Sequence, residues 1–138
     1  MKRKVSFPYE SKKSTIFKLV KRPIANVKFW SNRFRKWISY NMIVDTGADY
    51  TILPFSDAAD LGIDLEKECI SFETRGIGGT ETVYLLRRKV KVEIGNFSRE
   101  IPVGFLSRDD IPELLGRQEC LNNFDVLFSR FTTIFSKP

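Results

Sequence analysis

The sequence predicts a single, mostly β domain with one or two short helices. Three observations carry this. Arg88 to Ile94 alternates charged and apolar residues, as a half-buried strand does. Ile70 to Glu73 and Thr82 to Leu86 flank a glycine-rich tip and read as two arms of a hairpin. Ser31-Asn32 and Gly95-Asn96 are turn signals set between apolar runs. At 138 residues, with twelve Phe, the chain suits one globular core, and glycine and proline are too few for a low-complexity chain.

Residues 1–14 are polar, charged and broken by Pro8, so they read as a flexible basic leader ahead of a domain at 15–138. Ile16 to Val20 forms a short strand and Pro23 interrupts it. Ile24 to Trp30 and Arg35 to Val44 pair around Ser31-Asn32. After Leu53 and Pro54, Ser56 suits an N-cap and Gly62 a helix stop, which marks one or two helical turns. Phe97 to Phe105 returns from the Gly95-Asn96 turn as one strand. Arg117 to Asn123 suits a short helix, and Asp125 to Phe128 and Phe131 to Phe135 read as two last strands.

Composition removes several classes. No run of about 18 apolar residues exists, so no transmembrane helix is expected. The N-terminus has a basic start but no apolar h-region, which leaves the compartment of synthesis, most simply the cytoplasm. The chain has no His, and Cys69 and Cys120 form no Cys-x-x-Cys pair. A Cys/His zinc site and a His-based triad are excluded, and both cysteines are expected as free thiols packed as apolar groups.

The net charge of +6 is uneven: residues 1–40 hold twelve Lys or Arg against Glu10 alone, while residues 41–138 sum to −5. Phe17, Phe29, Trp30, Phe34 and Trp37 interleave with the basic groups, a pattern that can stack nucleic-acid bases. The favoured reading is plainer, a solvated strand face plus a tail, and nucleic acid is not an expected partner.

Met42 to Pro54 reads MIVDTGADYTILP, an apolar strand running into Asp45-Thr46-Gly47 and out through Thr51-Ile52-Leu53. A carboxylate on a tight turn past a buried strand is held rigidly, and burial disfavours its charged form. Asp-Thr-Gly also suits an ordinary surface turn, but the flanking apolar residues argue against that.

Asp45-Thr46-Gly47-Ala48-Asp49 resembles the active-site signature of retropepsin-like aspartic proteases. Two further segments follow in the order that family implies. Arg75-Gly76-Ile77-Gly78-Gly79-Thr80 is similar to its glycine-rich flap tip, and Leu114-Leu115-Gly116-Arg117 to the segment passing beneath its active-site loop. The resemblance covers Ile24 to Phe135 and implies a closed acid-protease barrel with a flap hairpin.

The chain holds one Asp-Thr-Gly and no internal repeat, whereas the chemistry needs two carboxylates sharing one proton. A homodimer with Asp45 from both subunits is therefore expected. One Asp45 would act as general base on a water held between the pair; the other, protonated, would hydrogen-bond the peptide carbonyl. No metal or cofactor is called for, and the pair titrates as a unit. By the resemblance, Thr46 locks the paired loops across the dimer and Gly47 presents its carbonyl to an extended polypeptide substrate. Ala48, Asp49 and Tyr50 border the substrate, Gly76, Ile77, Gly78 and Gly79 cover it, and Leu114 and Leu115 line the floor or pack in the core. Asp49 and Arg117 are expected as a partly buried ion pair.

Two departures stand out. Gln118 occupies a position where the family often has Asp or Asn, and the C-terminus runs further than in viral members, whose chain ends build much of the dimer sheet. Two other functions compete: a non-catalytic dimeric module gripping extended peptides in the same groove, and a nucleic-acid binder working through residues 1–40.

Overall fold

The computed structural model describes residues 3–76 and 79–138. In chain order the strands are β1 (Lys4–Pro8), β2 (Glu10–Ser14), β3 (Lys18–Arg22), β4 (Ile24–Ser31), β5 (Lys36–Val44) and β6 (Thr51–Leu53). Two single-turn helices follow, α1 (Asp57–Asp60) and α2 (Leu65–Glu68). The rest is β7 (Cys69–Gly76), β8 (Gly79–Leu86), β9 (Val90–Ile94), β10 (Phe97–Ile101), β11 (Val103–Leu106), β12 (Leu114–Leu115), a 3-10 turn at Leu121–Asn123, β13 (Asp125–Ser129) and β14 (Thr132–Ser136).

Nine strands form the main sheet, in the order β10-β9-β4-β5-β12-β6-β11-β8-β7. The mostly β expectation holds. The hydrogen-bonded order has two ends, β10 and β7, with no pairing between them among the described residues. The single return strand expected over Phe97 to Phe105 is two strands. Pro102 has no N–H to give a ladder, and there the chain leaves β9 to pair with β6 and β8. The helix expected over Arg117 to Asn123 is reduced to the 3-10 turn.

The alternation read in the sequence places the core. β4 and β9 bury Ala25, Val27, Phe29 and Val90, Val92, Ile94 and turn the intervening residues outward. Phe97, Phe105, Phe135 and Met42 are fully enclosed with them. Each such side chain contributes about 1.5–3 kcal/mol through burial. Cys69 and Cys120 are buried free thiols, and burial pushes their pKa up to about 11 and about 12. Gly62 ends the α1 turn with φ of +70°, the left-handed conformation expected of a helix stop.

The stretch expected as a loose leader is different. β1 pairs antiparallel with β14, in a separate three-stranded sheet ordered β1-β14-β13. Val5 sits over the β9–β10 turn, where a Cβ on Gly95 would come within 2.4 Å of it. Phe7 packs edge-on against Phe135. Two inward apolar side chains hold this basic segment to the body. β2 and β3 form a two-stranded hairpin of their own.

Candidate active site

β5 delivers the chain to Asp45, and β12 fixes where it arrives. β12 runs parallel to β5, with Leu114 opposite Ile43 and Leu115 opposite Val44. The Asp45 N–H donates to the Leu115 carbonyl at 3.0 Å, and the Ala48 N–H closes the turn onto the Asp45 carbonyl at 3.2 Å. The Gly47 N–H donates to Asp45 Oδ1 at 2.9 Å, an Asx-type turn that orients the carboxylate. A Cβ on Gly47 would lie 3.3 Å from that oxygen. Asp45 is half-buried, while Thr46 and Gly47 are exposed.

The turn leaves through Ala48, Asp49 and Tyr50 into β6, and the chain after β12 crosses this exit closely. A Cβ on Gly116 would meet the Tyr50 backbone carbon at 2.3 Å and its oxygen at 2.4 Å. Only glycine fits that crossing. The Gly116 N–H donates to the buried Thr51 Oγ1 at 3.2 Å. The Arg117 and Gln118 N–H groups donate to the Ala48 and Asp49 carbonyls at 3.0 and 2.7 Å. Thr51 and Gly116 had no assigned role in the sequence; the glycine inside Leu114-Leu115-Gly116-Arg117 was the available signal.

Arg117 Nη2 meets Asp49 Oδ1, but the Asp49 side chain is 82% exposed and that of Arg117 43%. The partly buried setting expected for this pair is absent in the single chain. Such a pair contributes at most about 1 kcal/mol, so the backbone bonds are what hold the loop. Leu115 is fully buried in the core and Leu114 is half-buried. The Tyr50 ring lies over Gly104 of β11, and burial, then Asp49, raises its phenol pKa. β7 and β8 form the expected hairpin, with Gly76 opposite Gly79. Ile77 and Gly78, expected at its tip, lie outside the described residues.

A family model described as aspartyl protease matches residues 36–118, from β5 through the crossing. The chain belongs to the aspartyl protease family. The fold is also similar to a solved retropepsin-like aspartic protease from Rickettsia conorii. That match has a TM-score of 0.66 at 20% identity and covers 96% of this chain and 98% of that one. A comparison with curated proteins finds no match. The aspartyl protease family and the retropepsin-like fold read from the sequence are borne out. Among the described residues no cluster could hold a metal, and no helix is long and apolar enough to cross a membrane.

This aspartyl protease domain has a second acidic site that sequence did not disclose. Asp57 opens α1 and is 5% exposed. Its carboxyl lies close enough to that of Glu113, next to β12, for the two to interact. Burial, then Glu113, then Asp60 and Asp109 push the Asp57 pKa up to about 8. Tyr40 on β5 is also raised, by burial and then by Asp57, Asp60 and Glu113. Asp57 Oδ2 and Tyr40 Oη are buried with no hydrogen-bond partner among the described residues.

The folded state thus keeps a proton on Asp57 that the unfolded chain releases near pH 4, and stability falls as pH rises from there towards 8. Asp57→Asn carries no charge to bury and keeps a donor for Glu113. It should gain stability over wild type steadily as pH rises from 4 towards 8, with the gain vanishing towards pH 4. Urea unfolding of both proteins across that range checks this, and parallel curves would exclude a protonated Asp57.

Proposed function

We propose that the chain is an aspartic endopeptidase active as a homodimer. Each protomer gives one Asp45, and the pair activates a water that hydrolyses peptide bonds in an extended polypeptide. The observation that carries this reading is the Asp45 turn. Its carboxylate is oriented by the Gly47 N–H, and its backbone is locked to Leu115 on a strand from far along the chain. A carboxylate so fixed needs little reorganisation when charge develops on the attacked carbonyl.

The single Asp-Thr-Gly makes each protomer half a site. β13 supports a two-fold assembly, because it is the outer strand of its sheet and exposes Leu127 and Phe128. In this arrangement Thr46 ties the two turns together. Gly47, Ala48, Asp49 and Tyr50 border the substrate beside Leu114 and Leu115, and the tip of the β7–β8 hairpin closes over it.

Casein cleavage, with and without pepstatin, followed across pH 3 to 8 tests the mechanism: a pepstatin-sensitive, bell-shaped profile is expected. Dilution tests the assembly. Turnover per chain should fall in step with the loss of dimer in sedimentation. Constant turnover through that transition would refute the shared site, and a folded dimer that never cleaves casein would favour the peptide-binding module.

A further inference from the structure

The β2–β3 hairpin carries an apolar tip in water. Ile16, Phe17 and Leu19 are 79, 73 and 61% exposed. Isolated two-stranded hairpins are marginal in water, and an apolar tip adds a cost that folding alone does not explain. The tip is nevertheless well formed. Ser14 Oγ accepts the N–H groups of both Ile16 and Phe17 at 3.2 Å, and the Leu19 N–H donates to the Phe17 carbonyl at 2.7 Å. Lys18 takes a positive φ of 63° to close it. The N–H groups of the three apolar residues are therefore already paired, which lowers the cost of entering an apolar medium.

Basic groups collar the tip. Lys13 stands opposite Leu19 and Lys12 opposite Val20, so neighbouring lysines project to opposite faces of the ribbon. Lys18 adds a third charge at the turn, and Glu10 is the one acid between residues 10 and 22. Lys13 stands one residue behind Ser14, where β2 ends and the turn carrying Ile16 and Phe17 begins. Apolar faces of interfacial segments sink about 5–10 Å, so a short apolar turn enters while the lysines just behind it meet the headgroups. At its base the hairpin is anchored by the Lys21 ammonium over the Phe131 ring and by Tyr9 against that ring.

We propose that this hairpin docks the protein peripherally on an anionic lipid bilayer, with Ile16 and Phe17 inserted and Leu19 level with Lys12, Lys13 and Lys18 at the headgroups. A single-stranded nucleic acid fits less well, since Phe17 is the one π face at the tip. A two-fold tip-to-tip contact with a second copy would set the same lysines against each other.

The test is co-sedimentation of the full chain with phosphatidylcholine vesicles, with and without phosphatidylserine. Binding is expected only with phosphatidylserine and should weaken as salt rises. Two variants separate the contributions: Ile16→Ser with Phe17→Ser, and Lys12→Gln with Lys13→Gln and Lys18→Gln. Each should weaken binding at least about tenfold while leaving circular dichroism unchanged. Failure of wild type to bind phosphatidylserine vesicles at low salt would overturn the proposal. So would equal binding by the apolar-tip variant, or a fall in sedimenting mass in that variant, which would make the tip a contact between copies.

Discussion

Asp45→Asn is expected to lose peptide hydrolysis by about a thousandfold or more while keeping the fold. The amide oxygen of Asn can still accept the Gly47 N–H that Asp45 Oδ1 accepts at 2.9 Å, and the backbone bond to Leu115 does not involve the side chain. Melting should therefore change by no more than about 0.5 kcal/mol. Asn cannot take a proton from water, and in a homodimer one substitution removes both carboxylates at once. The comparison is casein turnover by wild type and variant at equal dimer concentration. Retained turnover in the variant would end the aspartic mechanism for this chain.

Gly116→Ala should carry the largest stability loss of any single-methyl addition near the turn. The new carbon would lie 2.3, 2.4 and 2.8 Å from the carbonyl carbon, oxygen and Cα of Tyr50. All three are backbone atoms, so no side chain can swing away. Either β6 or the crossing segment must move. That strains the Gly116 bond to Thr51 and the bonds from Arg117 and Gln118 to the loop. A loss of about 2–4 kcal/mol follows, with activity falling alongside because the same bonds hold the exit of the Asp45 turn. Thermal unfolding by circular dichroism checks it. A change within about 0.5 kcal/mol would mean the two backbones are free to part.

What could be read from sequence was what is local. The strand into Asp45, the hairpin arms around the glycines and the Lys89-to-Ile94 alternation each state their period within a few residues. β1 escaped because its inward residues, Val5 and Phe7, sit among lysines and next to Pro8, and its partner β14 lies at the far end of the chain. The split at Pro102 had a visible cause, but where each half pairs is a property of the sheet. The exposure of Asp49 could not be read either, since the family resemblance supplied its partner Arg117 but not its solvent. The Asp57–Glu113 pair left no local trace, because α1 and the residue before β12 meet only through the fold.

The bonds that complete the Asp45 turn have a consequence in time. Arg117 reaches Ala48 across a sequence separation of 69 residues. As the chain emerges from the ribosome, Asp45 comes out early, but Leu115, Gly116, Arg117 and Gln118 come out late. Closing so long a loop must precede the contacts that reward it. The carboxylate is therefore exposed well before it is positioned, and a nascent chain cut short anywhere before β12 carries the signature without the means to use it.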